Sequence, residues 1–115
     1  MTQEAPPYYQ AARYPNKAAA GKAYYPLQAI IYEEQCDLSA YRFFEQQERK
    51  WYVVVIGDEP SPQVHERLAT ILFTLTRGVR VTLDNETLAA LMDRRAQQSL
   101  FGPWVEHHYS VPDQE

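Results

Sequence analysis

A chain of 115 residues with 45% hydrophobic content is sized for one domain with a core of its own, and its single cysteine excludes an intramolecular disulfide. The net charge of −4 divides into +2 over residues 1–22 and −6 over the rest, an acidic body that argues against non-specific nucleic-acid binding. No apolar run approaches the roughly 18–20 residues of a bilayer span, and the N-terminus lacks the apolar stretch of a secretory signal, so a cytoplasmic protein with no membrane partner is expected.

Residues 1–22 show no usable period. Pro6, Pro7 and Pro15 break helices, and few aliphatic side chains could anchor a strand. The expectation is a flexible arm, followed by one globular domain over 23–112 and a polar tail over 113–115. The arm's Tyr8, Tyr9 and Tyr14, interleaved with Arg13 and Lys17, suit docking on a partner or stacking on exposed bases.

Residues 24–32 (YYPLQAIIY) alternate like a first strand, with Pro26 near its start. Residues 37–49 (DLSAYRFFEQQER) are ambiguous. The aromatic cluster Tyr41, Phe43 and Phe44 favours a strand, whereas Glu45-Gln46-Gln47-Glu48-Arg49 favours a helix. The strand reading is preferred.

Residues 51–56 (WYVVVI) are aromatic and β-branched on both alternating sets, the pattern of a central strand covered on both faces. Ser61-Pro62 then starts a helix, Ser61 as N-cap and Pro62 at the first position. Val64, Leu68, Ile71, Leu72 and Leu75 follow at helical spacing, and Gly78 is the expected C-cap. Residues 79–83 alternate as a short edge strand or connector. Asp84 caps a second helix over about 85–98, with Leu83 and Leu88 spaced as a hydrophobic staple. A turn at 100–103 and a last strand over 104–111 (WVEHHYSV) complete the reading.

The fold class expected is therefore α+β: an antiparallel sheet of about three to five strands with two amphipathic helices on one face. A three-layer α/β domain is the alternative if 38–49 is helical.

No motif specifies a reaction or a cofactor. Glu106, His107 and His108 are metal-ligand types, with His65 or Cys36 as a third donor, but adjacent strand histidines point to opposite faces. His65, with Asp58 and Glu59 before it, could form a catalytic or ligand site at the end of the central strand. Cys36, beside Glu34, has the wrong electrostatics for a nucleophile. Absent a catalytic constellation, the preferred function is a non-catalytic interaction or accessory subunit. It would bind a larger protein, or a second copy of itself, through Tyr8, Tyr9, Arg13 and Tyr14 of the arm and Tyr41, Phe43 and Trp104 of an uncovered sheet face. Nucleic-acid association through the basic, aromatic arm is a further alternative.

Overall fold

The computed structural model describes residues 8–101, with side chains through residue 98. The elements in order are β1 (Tyr8–Tyr14), α1 (Lys17–Glu33), β2 (Leu38–Glu45), β3 (Lys50–Gly57), α2 (Pro62–Ala69), a π-helical continuation (Thr70–Leu75), β4 (Val79–Arg80) and α3 (Asn85–Phe101). The four strands form one antiparallel sheet in the order β2-β3-β1-β4. Each of the first two helices joins parallel strands separated by a third strand, which is the split βαβ arrangement used twice. The α+β expectation holds.

The segment at 51–56 occupies an interior position, between β2 and β1, and Trp51 through Gly57 are all buried. Its two alternating sets serve two cores. Trp51, Val53 and Val55 pack with Ala20, Tyr24 and Leu27 of α1 and Val64 and Leu68 of α2. Tyr52, Val54 and Ile56 pack with Leu83, Leu88 and Leu91. Two helices were expected on one face. Instead α1 and α2 share that face and α3 packs on the other, so among the described residues each face of the sheet carries helix.

The arm expected over residues 1–22 is corrected from Tyr8 onward. β1 is the second interior strand, paired along its length with β3 from Tyr8↔Gly57 to Tyr14↔Trp51. Small Ala11 and Ala12, 1% and 0% exposed, let both helical layers approach it. The strand expected at 24–32 is also corrected: these residues lie in α1. Asn16 caps that helix, its side chain accepting from the Ala19 N–H at 2.8 Å. Ala20, Ala23, Tyr24, Leu27 and Ile30 form its buried stripe at helical spacing. Pro26 sits on the exposed side, where its missing donor leaves only a solvent-facing gap in the ladder.

The strand reading of 37–49 holds as β2, and Gln46–Arg49 turn the chain into β3. Arg49 closes the turn with φ 57° and its N–H bonded to the Glu45 carbonyl at 2.8 Å. Ser61 caps α2 as expected, accepting from the Val64 N–H at 3.2 Å. The stripe fails at Leu75, which is 69% exposed, because the wider π-helical turn shifts the phase of the residues after Ala69. Arg77, not Gly78, takes the left-handed conformation at the end, with φ 59°. Gly78 is needed for space: a Cβ there would lie 2.6 Å from the Leu72 carbonyl oxygen and 2.7 Å from Ala12 and Tyr14 atoms. Asp84 caps α3 through the Thr87 N–H at 2.7 Å.

Candidate functional site

The end of β3, where Asp58, Glu59 and His65 were expected to converge, divides instead into two clusters. Asp58 turns toward Asp37 and Arg95. The Arg95 guanidinium donates to the Asp37 carboxylate at 2.6 Å and to its carbonyl at 2.5 Å, and the Asp58 N–H donates to the same carbonyl at 2.9 Å. A hydrogen bond from the protonated Asp58 carboxyl to the Asp37 carboxylate, and then Arg95, hold Asp37 below its ordinary pKa, while the same bond and the charge of Asp37 raise Asp58. Gly57, with φ 152°, admits this cluster, since a Cβ there would meet both the Asp37 carbonyl and Arg95.

The second cluster lies on the α2 side. The Tyr8 hydroxyl meets His65 Nδ1 at 2.9 Å, the rings are edge-to-face at 5.8 Å, and the Gln10 amide donates to the Tyr8 hydroxyl at 2.6 Å. Burial, and secondarily the charge of Glu59, raise the Tyr8 pKa, so Tyr8 is a neutral donor and a poor nucleophile. Cys36 is half-buried, and burial and Glu34 push its thiol up as well. His65 itself is exposed. These contacts fasten β1 to the first turn of α2, and their electrostatics give no activated nucleophile. Among the described residues no group of three or more His, Cys, Asp and Glu is arranged to hold a metal ion. Glu106, His107, His108 and Trp104 lie outside the described residues.

Of the arm residues proposed for docking, Tyr14 is 1% exposed and Gln-neighboured Tyr8 and Tyr9 are half-buried against the sheet. Tyr14 donates to the Leu72 carbonyl at 2.8 Å. The Tyr9 hydroxyl accepts from the Leu83 N–H at 3.3 Å, and Arg13 pairs with Glu48 at 3.1 Å. The arm's aromatics are therefore spent inside the domain.

The surface around β2 is different. On its α1 side lies an open depression of about 760 Å³ lined by Lys17, Gly21, Lys22, Tyr25, Pro26 and Arg42. Tyr25 is 59% exposed. Arg42 lies over the rings of Tyr24, Tyr25 and Trp51 at 5.1, 5.4 and 6.0 Å, and Lys17 lies over Trp51 at 5.7 Å. Gly21 makes room for the guanidinium, whose nearest nitrogen would be 3.1 Å from a Cβ at that position. On the α3 side is a narrower cleft of about 290 Å³ between Tyr41 and Phe43 of β2 and Thr87, Ala90, Leu91 and Arg94 of α3. Arg42 lines both.

Sequence reasoning marked Tyr41 and Phe43, and marked Lys17 only as part of the expected arm, but missed Lys22, Tyr25 and Arg42. The signal was present: Lys17, Gly21, Lys22, Tyr25 and Pro26 share one face once 17–33 is wound as a helix. No helix among the described residues is long and apolar enough to cross a membrane. Comparison with protein-family models, with curated proteins and with solved structures found no match.

Proposed function

We propose that this protein is a non-catalytic interaction domain, an accessory subunit that docks on a larger cytoplasmic protein through the β2 side of its sheet. The carrying observation is Arg42, seated on three aromatic rings and bordering both clefts astride an outer strand. Exposed aromatics beside Arg are the residue types that dominate interface energetics. The dispersal of His65 and Asp58 into separate clusters, and the raised pKa values of Tyr8 and Cys36, weigh against an enzyme at the strand end.

A photo-crosslinking amino acid placed at position 25 or 43, with position 66 on exposed α2 as control, tests the reading in extract from the native cells. A discrete adduct at 25 and 43, suppressed by excess unlabelled protein and by Arg42→Glu, is the expected result. Adducts that are equal at position 66, or none at 25 and 43, reject it.

A further inference from the structure

Arg13, Arg67 and Arg95 each hold a carboxylate, that of Glu48, Glu34 and Asp37 respectively. Arg42 is compensated differently. It is half-buried against the rings of Tyr24, Tyr25 and Trp51, and among the described residues no carboxylate or carbonyl accepts from its guanidinium. A ring face attracts the positive charge but pairs none of the five N–H donors as an oxygen would. Gly21 lets the guanidinium lie against α1, on the wall of the open depression and beside exposed Lys22. Resting on the docking reading above, we propose that the partner protein places an acidic side chain on Arg42 and Lys22, with an aromatic residue next to it in sequence packed on Tyr25.

Docking itself imposes the acid. A partner seated on this depression takes water away from Arg42 and Lys22, and a desolvated cation without an anion is strongly unfavourable. Lys17, at the rim, already has contacts of its own and plays no part. The remaining described lining, Ala18, Gly21, Tyr25 and Pro26, brings no carboxylate, so the incoming group meets two cations and no opposing charge.

A carboxylate fits this site better than a phosphate. It is planar and singly charged, and one guanidinium satisfies it through two parallel N–H bonds. A phosphate monoester carries nearly two charges and three strong acceptor oxygens, and its protein sites gather several arginines or free backbone N–H groups. Here Arg42 is the single guanidinium, and Gly21 and Lys22 lie past the first turn of α1, where backbone N–H groups are spent within the helix. Tyr25 is 59% exposed, a ring that an aromatic neighbour of the acid can cover.

The test titrates the full chain with N-acetyl-Trp-Glu-amide, whose only charge is the Glu side chain, followed by nuclear magnetic resonance. Comparators are the Trp-Gln and Ala-Glu analogues and phenyl phosphate. Trp-Glu should shift the Gly21 and Lys22 amides and the Arg42 Nε–H, bind about three- to tenfold tighter than Trp-Gln, and weaken as salt is raised. Ala-Glu and phenyl phosphate should each bind at least about threefold more weakly than Trp-Glu. Arg42→Gln should erase the preference for Glu over Gln. Lys22→Gln, at an exposed position that leaves the rings around Arg42 in place, should reduce that preference about twofold. Equal binding of Trp-Gln, tighter binding of phenyl phosphate, or shifts that avoid residues 21–25 and 42 each overturns the proposal. So does the appearance of the same shifts without peptide as the protein is concentrated, which would put a second copy of the chain there. If crosslinks at position 25 form in extract, unchanged by Lys22→Gln and by salt, while Trp-Glu fails to bind, the acidic group is wrong and the docking surface stands. Loss of both removes both.

Discussion

The Leu72 carbonyl gathers two donors, the Tyr14 hydroxyl at 2.8 Å and the Gly78 N–H at 2.9 Å, with the Thr76 hydroxyl, closer to the Ile71 carbonyl at 2.5 Å, lying 3.1 Å away. It is the point where the π-helical turn is tied back to β1. Tyr14→Phe removes one donor while keeping the ring packed, and should cost about 1 kcal/mol in urea unfolding. Gly78→Ala should cost more, about 1–3 kcal/mol, because its methyl meets a backbone oxygen and two core carbons that cannot retreat. A neutral result for Gly78→Ala would mean the approach of β4 to β1 is looser than described.

The Asp37–Asp58–Arg95 cluster carries a pH signature with two opposite signs. The depressed Asp37 contributes stability that is present above the ordinary carboxylate pKa and lost as pH falls through its folded value. The raised Asp58 contributes stability that is present below the ordinary value, while it is protonated and donating to Asp37, and lost as pH rises through its folded value. Asp58→Asn keeps a donor there at all pH values. It should raise the thermal midpoint at pH 7, and the gain should shrink as pH is lowered toward about 4. A midpoint that falls at pH 7 would contradict the shared proton. Neither clustering was legible in the sequence, since Asp37 and Arg95 are 58 positions apart and meet only because α3 crosses the strand ends.

At the scale of elements, local signals were enough where they were redundant. Ser61-Pro62 and Asp84 place helix starts by satisfying orphan N–H groups, a matter of a few neighbouring residues. The β3 pattern is apolar on both sets because both faces are covered. α1 was misread because its composition contradicts its conformation. Tyr24, Tyr25, Ile30, Ile31 and Tyr32 favour strands intrinsically, and Pro26 breaks helices. Packing of Ala20, Leu27 and Ile30 on Val53 and Val55 outweighs those preferences. Pro26→Ala should therefore stabilise the protein, by about 1–3 kcal/mol, by restoring a helical donor at an exposed site. Thermal unfolding followed at 222 nm in the far ultraviolet, the wavelength of helical ellipticity, measures it. A loss of stability would show that the proline shapes a contact the fold requires.

For the whole molecule, the decisive strand is the first. β1 lies between β3 and β4, contributes Ala12 and Tyr14 to one core and Ala11 to the other, and supplies the pairing surface of β4. Deleting residues 1–14 removes an interior strand and should abolish cooperative unfolding in calorimetry. A dispensable arm would leave the transition intact, so the experiment separates the two architectures directly.

By itself the sequence determined the periodicities: a doubly apolar strand, a capped helix after it, a second capped helix, and aromatic residues at 41, 43 and 44 in a strand. These rest on interactions within a few residues, and no partner is needed to read them. Only the tertiary structure decided that Tyr8–Tyr14 is an interior strand, that 17–33 is a helix and that α3 closes the second face. Small alanines and tyrosines carry weak local preferences, so their conformation is set by the apolar area they bury against distant neighbours. The same long-range assembly brings Lys17, Lys22 and Tyr25 beside Arg42 of the outer strand, forming a surface that no contiguous stretch of the chain contains.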